Sequence, residues 1–233
     1  GGQVLVGMNK TGFTGQVNLA STASISINGT PYTIINSLGA PGSMTGTDLQ
    51  GIAGNLAGHY VLGSNIDASQ TSTWNSGAGF TSIGHWTTPE FTGTVNGLGH
   101  TIDGLSITQT SGGNYGFISD NTGGTIINTG MVGGTITGNN QTGSLVGNMS
   151  GGLVQNDYST ATVNGTNAVG GLVGYITGGT FTGDFTSGTV TGNHEYAGGG
   201  SWQYCRDIRI HNEFMVIRYG ERQSDGRWFC RKH

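Results

Sequence analysis

Apolar residues in the second half of the chain recur in columns, not in runs. Set 27 residues apart, Ile118/Leu145/Leu172, Ile127/Val154/Phe181, Met131/Tyr158/Phe185 and Ile136/Val163/Val190 form four such columns. Gly116, Gly143 and Gly170 keep the same step, as do Gly147 and Gly174. A fixed period with short β-branched segments between glycine turns marks a solenoid, because each unit can bury its apolar face only against the next. The spacing predicts an all-β parallel β-helix (solenoid) with about 27 residues per coil over residues 111–197. Its apolar columns are expected inside, about 4.8 Å apart from coil to coil, and its glycines at corners where the backbone turns with positive φ.

The first 110 residues are β-rich with a looser period. Val4/Val6, Val17/Leu19 and Ile25/Ile27 alternate with polar residues, as half-buried strands do. Asn28-Gly29 stands between two strand-like runs and predicts a hairpin, because both residues tolerate positive φ. Pro31 then belongs on an edge or at a strand start. Residues 48–56 predict one or two helical turns, residues 91–107 return to short strands, and nothing in residues 1–197 sustains a 3.6 period.

Composition supports that architecture and narrows its partners. Of 233 residues 47 are Gly, 3 are Pro and 9% are charged, against roughly 7% Gly and about 25% charged residues in an average domain. The columns argue against a low-complexity tract, and the absence of a strict triplet excludes collagen. The net charge of −4 hides an asymmetry. Residues 1–197 carry Asp48, Asp67, Glu90, Asp103, Asp120, Asp157, Asp184 and Glu195 against Lys10 alone, which is −7; the remaining residues carry seven basic and four acidic groups, which is +3. A body with one lysine offers no footprint for a phosphate backbone, so nucleic acid is excluded as a partner. Both cysteines, Cys205 and Cys230, lie in the basic tail, so the body rests on no disulfide or thiolate metal site. No run of 18 apolar residues predicts a transmembrane segment, and no signal segment opens the chain. The opening Gly-Gly-Gln, without Met, leads to the expectation of a fragment or processed piece of something longer.

The stretch from Thr45-Gly46-Thr47-Asp48-Leu49-Gln50-Gly51-Ile52 to Gly97-Leu98-Gly99-His100-Thr101-Ile102, followed by Gly171-Leu172-Val173-Gly174 and the variant Gly143-Ser144-Leu145-Val146-Gly147, resembles secreted exoproteins of the filamentous haemagglutinin type with their GLUG repeats. The resemblance covers about residues 15–198. It implies a right-handed parallel β-helix, export from a Gram-negative bacterium, often by two-partner secretion through an outer-membrane transporter, and a role in adhesion or matrix. The expected partner is a host-cell surface, glycan or matrix component. The family's secretion-signal domain is not visible in these residues, so the resemblance makes this an internal segment of the fibre.

Few residues carry candidate chemistry. Asp157 and Asp184 are 27 apart and stack in one column, with Gly130 in the preceding coil. Such a pair can serve glycan cleavage or a calcium ion, but the body offers only Lys10 as a basic partner, and an outward, solvated turn pair is the simpler expectation. Thr135/Thr162/Thr189 and Thr137/Asn164/Thr191 form ladders that resemble the ice-facing surface of some β-solenoid antifreeze proteins; threonine is also an ordinary outward strand residue. His59, His85 and His100 share no metal-ligand spacing and are expected at the surface or in turns. Trp74 and Trp86 are expected to form a satellite core under a loop. Asn-x-Ser/Thr at Asn9, Asn28, Asn140, Asn148 and Asn164 is unremarkable in so Asn- and Thr-rich a chain. No catalytic residue, cofactor-binding residue or metal ligand is assigned, no cofactor is implied, and the body is expected to be an adhesin segment, not an enzyme. A polysaccharide-degrading β-helix and an ice-binding solenoid are the alternatives.

After Gly198-Gly199 the repeat predicts Leu-Val-Gly, and the chain instead reads Gly200-Ser201-Trp202. The tail over residues 198–233 is a natural cap, an engineered junction or an out-of-frame end, and the last is favoured: a frame shifted by one nucleotide from Trp202 forces Gly and permits Gly-Asn-Ile-Ala-Gly-Thr, close to Gly147-Asn148-Met149-Ser150-Gly151. Residues 208–217 are expected to pair as a strand on the last coil.

Overall fold

The structure, a computed structural model, describes residues 7–9, 11–85, 87 and 89–192, together with the backbone of Tyr196–Gly198, Gly220–Arg222 and Trp228–Cys230. Trp86, residues 208–217 and a bridge between Cys205 and Cys230 lie outside the described residues. The chain forms a parallel β-solenoid of about six turns with roughly 28 residues per turn. Its first face stacks Thr30–Ile35, His59–Leu62, Thr94–Asn96, Thr125–Ile127, Leu153–Gln155 and Thr180–Thr182 in parallel, and Ile25–Ile27 adds to it antiparallel. The second face runs from Ile66–Asp67 through Thr101–Asp103, Gly130–Val132 and Tyr158–Ser159 to Phe185–Thr186. The third stacks Ser106–Thr108, Thr135–Thr137, Thr162–Gly165 and Val190–Gly192. A fourth, shorter face holds Ile118–Asn121, Val146–Met149 and Val173–Ile176.

One core runs along the axis. Tyr60, Val95, Ile126, Val154 and Phe181 pair in sequence on the first face, and Ile107, Ile136, Val163 and Val190 on the third. All but the last-coil residues Phe181 and Val190 are fully or almost fully buried. The anticipated column on the third face is therefore present, and the others keep the 27-residue step between the second and third coils but slip by one residue between the first and second. Val154 pairs with Ile126, not Ile127; Tyr158 pairs with Gly130, not Met131; and Ile118 pairs with Val146. The second-face column is corrected most: Met131 belongs to the core, whereas Tyr158 and Phe185 stand on the opposite parity and stack ring on ring, with centroids 5.3 Å apart. The cause is two offsetting insertions of one residue: Gly143, Ser144 and Leu145 lie between Thr142 and Val146 where only Gly116 and Phe117 lie between Tyr115 and Ile118, which opens the slip, and a second at the corner between the second and third faces closes it. Met131 pairs with Ser159 and Thr135 with Thr162, so Val132, Gly133 and Gly134 span a corner that Thr160 and Ala161 span in the next coil. Gly133 and Gly134 absorb this second insertion with φ of 59° and 75°, which only glycine adopts freely.

The repeating glycines themselves have another cause than the expected positive φ. A Cβ on Gly147 would lie 2.6 Å from the Tyr115 backbone nitrogen, and one on Gly143 would lie 2.5 Å from the Leu172 carbonyl oxygen. These glycines let one coil's backbone press on its neighbour's.

The segment before the first coil covers the start of the solenoid from outside. The hairpin forms as anticipated, with Asn28 and Gly29 at φ 52° and 83° and Ile27 paired with Thr30; Pro31 is the second residue of its strand, opposite Ser26. Ile25 and Ile27 of this hairpin, with Val17 and Leu19, cover Ile34, Val61 and Leu98 on the outer side of the first face. Along that same outer row Ile34 and Val61 give way to Asn96, Ile127, Gln155 and Thr182. Beyond the covering segment the row is thus polar except at the half-buried Ile127. The anticipated helical turns are a 3-10 helix, Gln50–Gly54, and a second 3-10 segment, Ser69–Gly77, was not foreseen because it is a kinked insertion with no amphipathic period.

These packing arguments predict graded losses in urea unfolding. Ile126→Ala, which empties a fully buried core site, costs about 2–5 kcal/mol, while Gln155→Ala on the exposed outer row stays within about 0.5 kcal/mol. Gly147→Ala, colliding with backbone, destabilises the fold, whereas Gly123→Ala, whose Cβ would meet nothing within 4 Å, is neutral or mildly stabilising. Equal midpoints for the two glycine variants would contradict the close-approach account.

Candidate functional site

The polar stations fall into two kinds, ladders inside the wall and ladders outside it. Asp157 and Asp184 belong to the first kind, which corrects the outward, solvated placement. Asp157 is fully buried and Asp184 is 7% exposed. The Thr129 N–H donates to Asp157 Oδ1 at 2.6 Å, the Gln155 N–H to Asp157 Oδ2 at 3.1 Å, and the Asp157 N–H to Asp184 Oδ1 at 2.7 Å. The station before Asp157 is therefore Thr129, not Gly130, because of the 28-residue spacing. Each carboxylate holds the backbone of the preceding coil at the corner between the first and second faces.

Burial penalises the ionised form of both acids. It pushes the Asp157 carboxyl well above the usual range, aided by the Asp184 charge, although the N–H groups of Thr129 and Gln155 pull the other way. Burial likewise pushes Asp184 up to about 7, against the opposing N–H groups of Asp157 and Thr182. Neither acid is presented to a glycan. The same corner carries an amide ladder: Asn128 Nδ2 donates to Asn96 Oδ1 at 3.2 Å and Asn156 Nδ2 to Asn128 Oδ1 at 2.6 Å.

His100 stands two coils before Asp157; it closes a turn through its N–H to the Gly97 carbonyl, in keeping with the turn placement, but is fully buried and not at the surface. Its Nδ1 lies 3.0 Å from Asn65 Oδ1 and its Nε2 2.9 Å from the Val17 carbonyl oxygen, so it fastens the N-terminal covering segment to the wall. His59 is exposed, with Nδ1 3.2 Å from Thr94 Oγ1, and His85 Nδ1 lies 2.8 Å from Thr87 Oγ1. Trp74 packs into the main core beside Phe80, not in a satellite cluster. Asn148 donates through Nδ2 to Asp120 Oδ1 at 3.1 Å, so its amide is engaged. Among the described residues no group of three or more His, Cys, Asp or Glu is placed to hold a metal ion.

The outer ladders are on the third face. Thr135 pairs with Thr162 and Thr137 with Asn164, Asn164 pairs with Thr191, and Ser106 and Thr108 extend both rows into a fourth coil. That extension was missed because the coil between Ile107 and Ile136 holds 29 residues, outside the 27-residue step. Beside the inner row lies a trough of about 210 Å³, lined by Thr137, Asn164 and Thr191 on one side and Thr110, Asn139 and Thr166 on the other, with Gly138 and Gly165 between them. The second wall gave no signal in the sequence, since it comes from turn residues with no apolar column.

No protein-family model and no solved structure matches the chain. Halomucin from Haloquadratum walsbyi is 44% identical over 106 residues, a stretch that covers 43% of this chain and 1% of that protein. The chain thus spans about 1% of the length of the relative it matches. No helix among the described residues is long and apolar enough to cross a membrane.

The buried acid pair sets a pH dependence with a definite sign. The folded state keeps protons that the unfolded chain releases in the ordinary aspartate range, so the contribution is fully present below that range and is lost as pH rises through about 7. Thermal unfolding midpoints are expected to fall from about pH 5 to about pH 8. In Asp184→Asn, a neutral side chain of the same shape, that slope flattens. A wild-type midpoint that rises over this interval would contradict the assignment.

Proposed function

We propose that this solenoid is a segment of a secreted or surface-exposed adhesin shaft that spaces or presents binding elements, without catalysis of its own. The observation that supports this best is the single core running along stacked coils, with Asp157 and Asp184 turned to holding the wall together. Stability built from nearest-neighbour stacking suits an extended element of adjustable length. The match to a protein named as a mucin supports an extracellular setting. The filamentous haemagglutinin resemblance, with its GLUG repeats, two-partner secretion, outer-membrane transporter and host-surface partners, belongs to the same proposal. The test is antibody labelling of intact source cells and culture medium with serum raised against residues 7–192. Signal on intact cells or in the medium is expected; signal that appears only after lysis would remove the reading.

The four-coil Ser/Thr ladder supports a second reading, ice binding, because hydroxyl rows repeat at the strand spacing. Asn164 interrupts the inner row. Thermal hysteresis of the purified chain tests it, and a flat result retires it.

A further inference from the structure

The trough on the third face differs from an ordinary outward strand surface in three respects. It has two walls: Thr137, Asn164 and Thr191 pair across successive coils on one side, and Thr110, Asn139 and Thr166, each two residues beyond a member of the Thr108, Thr137, Asn164 row, line the other. Each wall therefore offers one hydroxyl or amide per coil, about 4.8 Å apart along the paired wall, over a path that crosses four coils. None of these six side chains makes a hydrogen bond to another described residue, in contrast to the flanking Asn140 and Asn167, which bond each other at 3.1 Å. The donors and acceptors inside the trough remain available.

The floor is held open by composition. A Cβ on Gly165 would lie 2.6 Å from Val169 Cγ2 and 3.1 Å from Thr142 Oγ1, and one on Gly138 would meet the same hydroxyl. Side chains at these two stations would push the floor outward. Thr142 is fully buried beneath them, and its hydroxyl has no partner. No ionisable residue lines the trough, so a charged ligand would lose hydration without a counter-charge. The threonine methyl groups supply apolar contact beside the hydroxyl and amide groups, the mixture that a hydroxyl-rich but uncharged ligand matches.

We propose that this trough binds a neutral, linear oligosaccharide running parallel to the solenoid axis, with successive sugars facing successive coils. Asn139 and Asn164, the two amides, donate to and accept from sugar hydroxyls, and Thr137 and Thr166 flank them. The proposal deepens the shaft reading and rests on it for its setting, but it fails separately: loss of glycan binding leaves the extracellular location untouched, and an intracellular location leaves the measured binding untouched.

The test is ¹⁵N NMR titration of the full chain with cellohexaose and maltohexaose, two neutral linear glycans of different pitch, and with an alginate hexamer as the acidic control. One neutral hexasaccharide is expected to shift the amide signals of Gly138 and Gly165 saturably, and alginate is not. Asn139→Ala and Asn164→Ala, each at a partly exposed outward position, are expected to weaken binding about tenfold or more, or about 1.4 kcal/mol, with unchanged unfolding midpoints. Gln155→Ala on the first face leaves binding intact. The proposal is overturned by absence of saturable shifts with both neutral probes at millimolar concentration, by binding that survives both asparagine variants, or by equal binding of alginate. Thermal hysteresis without glycan binding would assign the ladder to ice instead.

Discussion

Each coil leaves its backbone N–H and C=O groups to be satisfied by the coils on either side, and the rest of the structure depends on that requirement. An unpaired buried amide costs about as much as a lost hydrogen bond, so a one-residue slip between coils would break a ladder and turn every side chain of a face to the wrong side. The register must therefore be specified repeatedly. It is specified at the corner between the first and second faces, where Asp157 and Asp184 each take a backbone N–H from the preceding coil and Asn96, Asn128 and Asn156 link through their side-chain amides. The buried acids that a functional search would single out are, on this geometry, the pins of the register.

The same requirement explains how the coils differ without losing the fold. The extra residue around Gly133 and Gly134 is confined to one corner, where two positive φ angles restore the pairing of Thr135 with Thr162. Larger insertions, such as the 3-10 segment Ser69–Gly77, leave the stacks at the same places: Ile66 still pairs with Ile102 and Tyr60 with Val95. Variation is thus pushed to the corners and the outer surface. The outer surface is where the covering segment, the hydroxyl ladders and the trough lie.

The interior and exterior ladders use similar residues for opposed purposes. Inside, the Asp157 carboxylate and the Asn96, Asn128 and Asn156 amides are engaged by backbone and neighbouring side chains, and burial pushes the pKa of the acids up. Outside, on the third face, Thr137, Asn139, Asn164 and Thr166 keep their donors and acceptors open. What separates the two is whether the side chain finds a partner in the wall, and the distinction places any recognition on the polar outer faces and the wall chemistry within.

Period and pattern were enough to predict a parallel β-solenoid, its coil length, the hairpin at Asn28-Gly29 and the third-face column of Ile136, Val163 and Val190, because these follow from local turn chemistry and from apolar residues recurring at a fixed step. The same reasoning put Ile127 and Met131 where Ile126 and Gly130 pair, since one inserted residue reverses side-chain parity and apolar neighbours on both parities conceal it. It placed Asp157 and Asp184 at the surface and His100 at the surface or in a turn, because polarity alone does not reveal that a backbone N–H, the Asn65 side chain or the Val17 carbonyl of a distant segment lies within hydrogen-bonding distance. The second wall of the trough was invisible for a related reason: Thr110, Asn139 and Thr166 are ordinary turn residues in the chain and become a surface only when coils stack. Sequence determined the repeat and its apolar interior. Tertiary structure decided which polar residues are spent on the wall and which remain free, because that depends on contacts between coils that no single coil contains.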